Sequence, residues 1–560
     1  MIKKIKYSAG ARLLALGAFA LGAITPQFAS AQLATNLAVD VKAMSMGHAV
    51  TADPPGIMSI HFNPAGLARL EGRRMDLQFV GADFSIESTF SAPPGYEVFG
   101  YSDDPVVCAD PASLGASYCT EFKEGKSTVE GITLYLPILN DAVDLPPGPL
   151  LAGPLPSFSI RPPGSRFTFA TATYLPMAAG FYRNDDDPGS FLGKRVALER
   201  LTYLSPSVGY QVSDTLSIGA SIGFSYQAMY LETDFRAPNE LLGFMRTLDE
   251  SICAPFKGDS NIALDLILFG ICRPEEGLGP FKNLASVEVS MDQRMSPSYN
   301  LGVLWEPNEH FAWGAVWRAP TDTHMNGDYN IKYSNATQST INGIGGSATG
   351  AIALAVLGIP SGVPSNETGV VNMDLTMPAH FQTGIKIRPL ERLQFNVDFV
   401  WVDYQEWDAW SIQFDRSSAV TSLARLFSPG STSTLLNVPL QFQSSWNLAY
   451  GVQYDLTGRI QLRGGFEPRA SAIPDDRRSP LVPINEAKYY SVGLGYKWDK
   501  DTEIDLGLGY LHSKDSIPAD TSCMANCTGI DNVVYNPYAG LDIETEASVI
   551  VVGLAFRTSF

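Results

Sequence analysis

The chain has 560 residues, of which 45% are hydrophobic and 17% are charged, and its formal net charge is −19 at pH 7. This acidic balance argues against a nucleic-acid partner and against a broad basic surface that would steer anionic substrates. A soluble chain of this length would divide into several domains, yet no Pro- or Ser-rich linker interrupts it. One large structural unit is therefore predicted.

Residues 1–31 have the pattern of a secretory signal peptide. An apolar run extends from Leu13 to Ile24, and Ala29-Ser30-Ala31 follows as a small-residue cleavage site. The basic residues before the run are Lys3, Lys4, Lys6 and Arg12. The alternative, a membrane-anchor helix, is disfavoured because the run is too short to span a bilayer. The mature chain is predicted to begin at Gln32, which changes the net charge from −19 to about −23.

Residues 32–72 show little strand periodicity and are rich in Ala, Gly, Met and Pro. Forty residues are too few to fold alone, but inside a wide barrel their backbone groups would find partners. We therefore predict that residues 32–72 form a plug, or hatch, and that residues 73–560 form the barrel around it. The clearest motif of the hatch is the turn Asn63-Pro64-Ala65.

From residue 73 onward, strand patterns alternate with turns. One strand lies near residues 74–90, two lie within 156–182 and eleven lie between 200 and 560, which predicts fourteen strands. Short turns alternate with long loops, as periplasmic turns and extracellular loops do in outer-membrane barrels. The predicted fold is an all-β, 14-stranded antiparallel transmembrane β-barrel in the bacterial outer membrane.

The last strand of the chain has two distinct faces. One face is apolar and suits lipid, and it carries Ile550, Val552, Leu554, Phe556 and Phe560. The other face suits a lumen, and it carries Gly553, Ala555, Arg557 and Ser559. An aromatic girdle at the membrane interface is predicted from the tryptophans near strand ends, which are Trp305, Trp313, Trp317, Trp401, Trp407, Trp410 and Trp498.

The third predicted strand contains a proline. Proline removes one hydrogen-bond donor from a strand ladder, and a closed barrel has no free edge to accommodate the loss. A bulge or local gap is therefore expected at Tyr174, Leu175 and Pro176. The alternative is an ordinary strand end near the rim of the barrel.

The six cysteines form three sequential pairs in segments without strand periodicity. The pairs are Cys108 with Cys119, Cys253 with Cys272, and Cys523 with Cys527. Export to an oxidising compartment favours disulfides between these neighbours, although six cysteines allow fifteen connectivities. Metal binding is disfavoured because no histidine lies within ten residues of a cysteine. No metal and no cofactor are predicted.

Several motifs resemble the outer-membrane long-chain fatty acid transporters, the FadL/TodX family. The resemblance rests on Asn63-Pro64-Ala65, on residues 207–219, on Met377-Pro378 with residues 401–407, and on residues 477–483. It implies a fourteen-stranded barrel, an N-terminal hatch and passive uptake of hydrophobic molecules. It also implies that the kinked third strand opens the barrel wall, so that a ligand leaves sideways into membrane lipid.

The resemblance further implies that two external loops capture the ligand. The loop residues proposed for capture are Leu241, Leu242, Phe244, Leu266 and Phe269, together with the loop from Ile341 to Val363. The alternative is that these two loops pack on each other as a lid.

A basic residue would recognise a ligand head group, and the resemblance points to Arg236, Arg416 and Arg425. Burial contributes ~0.8 kcal/mol per alkyl carbon, and a hydrogen bond to a charged group contributes roughly 1.5 to 3 kcal/mol. Each arginine could instead be a solvated loop residue, in which case the ligand would be an aromatic or aliphatic hydrocarbon.

Two other classes compete with a hydrophobic uptake channel. A general porin would need neither a plug nor apolar loops. An outer-membrane enzyme would need a catalytic motif, but none surrounds the six histidines, which are His48, His61, His310, His324, His380 and His512. We therefore expect no enzymatic activity and a monomer whose partners are a hydrophobic small molecule and outer-membrane lipid.

Overall fold

The computed structural model describes residues 35–96, 124–136, 141–145, 148, 150–236, 283–427, 430–527 and 539–560. In chain order the strands are β1 (Arg73–Ser91), β2 (Glu124–Thr128), β3 (Ile132–Leu136), β4 (Asp141–Leu145), β5 (Leu150–Ile160), β6 (Phe167–Ala172), β7 (Tyr174–Tyr182), β8 (Arg195–Leu204), β9 (Ser207–Gln211), β10 (Leu216–Arg236), β11 (Asn283–Asn308), β12 (Phe311–Arg318), β13 (Thr321–Tyr333), β14 (Asn366–Met377), β15 (His380–Leu390), β16 (Leu393–Val402), β17 (Ala409–Phe414), β18 (Leu435–Pro439), β19 (Ser445–Asp455), β20 (Ile460–Arg469), β21 (Ala487–Lys497), β22 (Thr502–Ile517) and β23 (Asp542–Ser559). The predicted signal peptide lies outside these residues.

Fourteen antiparallel wall strands form a closed barrel, as predicted. Six wall strands each consist of two consecutive elements, such as β6 and β7, and in the second wall strand β2 and β5 both pair with β1. The barrel closes where β1 pairs with β23, from Arg74 opposite Ser559 to Ser91 opposite Asp542. The first and last wall strands therefore share one continuous ladder.

The two faces of the last strand are oriented as predicted. Ile550 and Val552 are 46% and 42% exposed on the outer surface, whereas Val551 and Ala555 are buried. The predicted aromatic girdle is wrong for Trp407 and Trp410, which are buried in the lumen. Both follow the end of β16, where the chain turns inward through a 3-10 turn (Tyr404–Glu406) before β17.

The described helices are short. They are α1 (Val41–Ser45), α2 (Ser59–Phe62), α3 (Asn335–Gly345), α4 (Ala348–Val356) and α5 (Ala419–Phe427), with 3-10 turns at Gly56–Met58, Pro64–Arg69, Ser190–Leu192, Tyr404–Glu406 and Asp475–Arg477. Among the described residues no helix has the length and apolar content needed to cross a membrane.

The first described residues, 35–72, lie inside the barrel and are almost entirely buried. Asp40 begins α1 as its N-cap, and its side chain accepts a hydrogen bond from the Ala43 amide. Inward-facing glycines admit the hatch, because a Cβ on Gly302 would overlap Asn63 and one on Gly465 would overlap Gly47. The hatch and the wall are therefore fitted to each other at backbone distance.

A separate hairpin of β3 and β4 packs on the outer surface of the barrel. The Tyr135 amide donates to Glu199 Oε1 at 2.9 Å, and the Tyr135 ring stacks on Tyr230. Glu199 and Tyr230 alternate along their strands with Leu198 and Met229, which line the lumen. The hairpin therefore covers polar side chains on the outside of β8 and β10.

Candidate functional site

The Asn63-Pro64-Ala65 turn fastens the hatch to the wall. Asn63 Nδ2 donates to Thr51 O at 2.9 Å and to Val303 O at 3.0 Å, and Asn63 Oδ1 accepts from the Ala65 amide. The side chain is fully buried, so every polar atom of the amide must find its partner inside the protein. Pro64 occupies the first position of the following 3-10 turn. An N–H at this position would have no partner within the turn, so the missing donor of proline costs nothing there.

Asn63→Ala is expected to destabilise the folded barrel by about 1 to 3 kcal/mol, because the carbonyls of Thr51 and Val303 lose a buried donor. The measurement is the temperature at which the purified protein loses the electrophoretic mobility of the folded barrel. Asn366→Ala is the matched control, since Asn366 is exposed. Equal melting of the two variants would contradict the role of Asn63.

A buried ion-pair cluster joins α1 of the hatch to the wall. Arg557 on β23 contacts Asp40 at 2.8 Å, Asp505 at 2.8 Å and Asp76 at 3.4 Å. Its side chain is 12% exposed, and that of Asp40 is fully buried. One guanidinium therefore holds the hatch and two wall strands together.

A second cluster surrounds Asp53 of the hatch. Lys42 lies 2.8 Å from this carboxylate, Arg69 lies 3.3 Å from it, and Lys386 of the wall lies 3.5 Å from it. Burial alone would raise the pKa of Asp53, but the three cations hold this pKa well below its ordinary value. Asp53 is therefore ionised at neutral pH and anchors the hatch by charge.

The third wall strand is broken at the predicted position. β6 ends at Ala172, β7 begins at Tyr174, and the register against β8 shifts between Tyr174 and Met177. β6 pairs with β5, whereas β7 pairs with β8 alone among the described strands. The wall therefore lacks a ladder between β5 and β7.

This interruption leaves an opening in the wall that is bounded at both ends by backbone hydrogen bonds. At its lower end the Thr173 amide donates to Pro156 O at 2.9 Å. At its upper end the Glu130 amide donates to Tyr182 O at 2.9 Å, and β2 continues the sheet beside β1. Between these limits the hatch touches β7, where the Asn36 amide donates to Pro176 O at 2.8 Å.

An apolar cavity of about 180 Å³ lies behind the opening. Its wall side is formed by residues of β1, β5, β7 and β8, including Val80, Ala152 and Ala179. Across the lumen it is bounded by Trp407, Trp410 and Phe442, and above by residues 481–484. Such a cavity accepts an alkyl chain or an aromatic ring.

A polar cavity of about 120 Å³ adjoins the apolar one, and both are lined by Pro176 and Met177 at the strand break. Arg200 and Arg318 line the polar cavity. Arg200 Nη2, Arg318 Nε and Arg318 Nη2 are buried without a hydrogen-bond partner, and no carboxylate of a described residue pairs with either arginine. Unpaired buried guanidinium groups beside a cavity are suited to an anionic ligand group.

His61, one of the two histidines that line this cavity, carries no charge at neutral pH. His61 Nε2 of the hatch donates to Asn36 Oδ1 at 2.8 Å, and its ring meets the Tyr174 ring edge to face. Burial lowers the pKa of His61 well below its ordinary value, and the positive charge of Arg318 lowers it further. His61 therefore adds no positive charge to that of Arg200 and Arg318.

The three arginines suggested by the resemblance lie elsewhere. Arg416 is exposed and pairs with Asp415 at 2.9 Å, and Arg425 donates to the carbonyl of Leu357. The side chain of Arg236 lies outside the described residues, as do the capture residues Leu241, Leu242, Phe244, Leu266 and Phe269. The loop from Ile341 to Val363 contains the end of α3 and all of α4, with Ile352 and Val356 exposed.

The structure describes one of the three cysteine pairs. Cys523 and Cys527 form a disulfide, whereas Cys108, Cys119, Cys253 and Cys272 lie outside the described residues. Within the described ranges, no three His, Cys, Asp or Glu side chains are grouped so that they would hold a metal ion.

A closed barrel of fourteen antiparallel strands, with an apolar outer surface and a lumen filled by the N-terminal segment, defines an outer-membrane barrel protein. The family model for outer membrane protein transport protein (OMPP1/FadL/TodX) matches residues 20–560. The chain therefore belongs to this family, whose members are transport channels and not enzymes.

Similarity to individual known proteins supports the same family membership. The chain is 22% identical over 218 residues to a long-chain fatty acid transport protein of Escherichia coli O6:H1, covering 39% of this chain and 42% of that protein. A crystal structure of a Pseudomonas aeruginosa FadL homologue superposes with a TM-score of 0.62 at 16% identity, covering 94% of this chain and 100% of that one. The Pseudomonas putida toluene transporter TodX superposes with a TM-score of 0.54 at 14% identity, covering 92% and 97%.

These matches differ in what they establish. The sequence alignment spans about two fifths of the length of the E. coli relative, and the superpositions at low identity show a shared fold. The E. coli relative transports long-chain fatty acids, whereas TodX transports toluene. The ligand preference of this chain therefore depends on the chemistry of its own cavities.

Proposed function

We propose that this protein takes up long-chain fatty acids across the outer membrane. The observation that carries the proposal is the junction, at the strand break, of an apolar cavity with a polar cavity where Arg200 and Arg318 have buried nitrogens without a hydrogen-bond partner. An alkyl chain would fill the apolar cavity while its carboxylate receives hydrogen bonds from Arg200 and Arg318. This proposal replaces Arg236, Arg416 and Arg425 as the head-group residues.

The proposed route runs through the wall of the barrel. The hatch is fastened to the wall by Asn63 and Arg557, so movement straight down the lumen would require breaking buried contacts. The opening between β5 and β7 leads from the apolar cavity to the lipid-facing surface. A hydrophobic ligand would leave the protein there, and one barrel contains the whole route, so a monomer is sufficient.

The proposed entrance is the group of external loops above the lumen. Ile352 and Val356 of α4 are 65% and 81% exposed, an unusual degree for aliphatic side chains. They would provide the first apolar contact for a ligand arriving from outside, together with the predicted capture loop near Phe244.

Uptake of uncharged hydrocarbons is the second candidate, because Trp407, Trp410 and Phe442 give the apolar cavity an aromatic side. A binding titration of the purified protein separates the two candidates. Oleic acid, its methyl ester and toluene are compared. We expect saturable binding of the acid, weaker binding of the ester and the weakest binding of toluene. Tighter binding of toluene than of the acid would establish the hydrocarbon function, and binding of no compound would contradict both.

A further inference from the structure

Residues 479–484, which we call the roof, lie at the upper boundary of the apolar cavity. They belong to the long loop that joins β20 to β21, and residues 481–484 line the cavity. Ser479 begins the roof with a local turn, because the Leu481 amide donates to Ser479 Oγ at 3.2 Å and the Val482 amide donates to Ser479 O at 3.0 Å. The roof is therefore a folded segment on the loop side of the cavity.

Both ends of the roof are fixed to one carboxylate on β22. Arg478, just before the roof, donates from Nη1 to Asp515 Oδ1 at 2.9 Å, and Asn485, just after it, donates from Nδ2 to Asp515 Oδ2. The Ser471 hydroxyl also donates to Asn485 Oδ1 at 3.1 Å. Asp515 and Asn485 are buried, which strengthens these contacts by excluding water. The roof is therefore a short loop closed at its base on β22.

The middle of the roof is held by a residue from another part of the wall. Arg183 follows the last residue of β7, and its Nη2 donates to Pro480 O at 3.3 Å. Its Nη1 donates to Gly193 O at 2.5 Å, and a Cβ on Gly193 would lie 2.7 Å from Leu481 Cδ1. The Arg183 guanidinium and the turn before β8 therefore form one contact surface for Pro480 and Leu481.

The other contacts of Arg183 fix the position of its guanidinium. Nε donates to Ser127 Oγ on β2 at 2.9 Å, and Cζ lies 4.7 Å from the centre of the Phe181 ring, which lines the apolar cavity. The side chain is buried, and Asp187 at 3.9 Å from Nε is too distant for a hydrogen bond. Burial of a guanidinium is unfavourable unless its donors are used, so the uncharged acceptors determine where this side chain lies.

We propose that Arg183 is a positioning residue that holds the roof over the apolar cavity, and that separation of Pro480 from Arg183 lets a ligand pass between the external loops and the cavity. The proposal rests on the proposed function, because it takes the apolar cavity as the ligand site. Of the three hydrogen bonds of Arg183 described above, the one to Pro480 is the longest. The roof can therefore separate from the guanidinium while Ser127 and Gly193 keep the guanidinium in place.

The test uses full-length Arg183→Met and Ser127→Ala proteins in detergent. Arg183→Met removes the donor to Pro480 and keeps a long unbranched side chain. Ser127→Ala retains the charge and removes one of the bonds that orient the guanidinium. Two quantities are measured: hydrogen exchange of the amides in the peptide covering residues 479–484, and the rates of oleate association and dissociation. Electrophoretic mobility of the folded barrel is checked for every variant.

Arg161→Met is the matched control. Arg161 precedes β6 and so lies at the opposite end of the same wall strand as Arg183. Its guanidinium also donates to uncharged oxygens, at 2.7 Å to Ala68 O and at 2.6 Å to Gln211 Oε1. This variant should leave both the exchange of the roof amides and the oleate rates unchanged.

In Arg183→Met we expect the roof amides to exchange at least about tenfold faster, because a hydrogen bond from a charged donor no longer resists displacement of the roof. Oleate association and dissociation should both become at least about fivefold faster while the affinity changes by less than about threefold, since a gate alters the two rates together. A residue that only supports the cavity would weaken the affinity without faster association. Ser127→Ala should shift the same quantities by a smaller factor.

Wild-type exchange of the roof amides in Ser127→Ala and in folded Arg183→Met would overturn the proposal, as would an equal acceleration in Arg161→Met. Loss of oleate affinity without faster association would also overturn it. If Arg183→Met does not fold, the exchange measured in Ser127→Ala decides. Failure of the wild type to bind oleate would contradict the proposed function, whereas hydrogen exchange would still report whether Arg183 holds the roof.

Discussion

Arg318→Gln is expected to lower the affinity for oleate by about ten- to hundredfold, because a hydrogen bond to a charged group contributes roughly 1.5 to 3 kcal/mol. Arg318 Nε and Nη2 are both buried and without a partner in the structure, so a carboxylate would satisfy two donors at once. Arg200→Gln should have a smaller effect, because Arg200 Nη1 already donates to Gln227 at 3.2 Å. The measurement is a binding titration of each purified variant.

Two controls make this result specific for the carboxylate. The affinity for methyl oleate, which has no charge, should be nearly equal in wild type and Arg318→Gln. Arg416→Gln removes an exposed arginine that pairs with Asp415, and it should leave oleate binding unchanged. An equal loss of acid and ester affinity in Arg318→Gln would mean that the arginine supports the cavity and does not bind the head group.

Arg557→Met is expected to destabilise the barrel by about 3 to 5 kcal/mol, the typical effect of removing one partner from a buried ion-pair cluster. Asp40 and Asp76 would be left as buried carboxylates without a cation, whereas Asp505 keeps Arg463. Because Asp40 belongs to the hatch, the hatch should also loosen. Thermal unfolding and single-channel conductance measure the two effects.

The double variant Arg557→Met/Asp40→Asn tests whether uncompensated buried carboxylates cause the loss of stability. Neutralising Asp40 removes one of the uncompensated charges, so part of the stability should return. Arg416→Met serves as the comparison for loss of an exposed arginine and should melt like the wild type. If Arg557→Met melts and conducts like the wild type, the cluster does not hold the hatch.

Alternation along the chain predicted the barrel because each strand must face lipid on one side. Ile550 and Val552 point outward and Val551 and Ala555 inward, as period-two patterning requires. The strand break at Pro176 was also predictable, since proline in a closed ladder has few alternatives. These features depend on local sequence alone.

The proposed head-group site at Arg200 and Arg318 was not predicted, because these two arginines come from strands far apart in sequence. The signal that was present is periodic: in β12, Ala312, Gly314, Val316 and Arg318 share the inward face while Trp313 and Trp317 face outward. A lumen-facing arginine becomes a candidate ligand residue only when its neighbours on adjacent strands are known to lack a carboxylate. Such neighbours depend on the register between strands, which the alternation within one strand does not reveal.

The aromatic girdle prediction failed at Trp407 and Trp410 for a related reason. Tryptophan near a strand end is favourable both at a membrane interface and in an apolar cavity. The inward turn after β16 decides between these environments, and it depends on packing against Phe442 and the loops above.

The buried fastening of the hatch also bears on how a cell can use this protein. A channel with a continuous aqueous path admits small polar solutes, and every additional copy adds to that leak. Here residues 35–72 occupy the lumen, and the wall opening between β5 and β7 faces lipid. A cell living on scarce, water-insoluble carbon can therefore raise the number of copies to match its demand without making its envelope leaky.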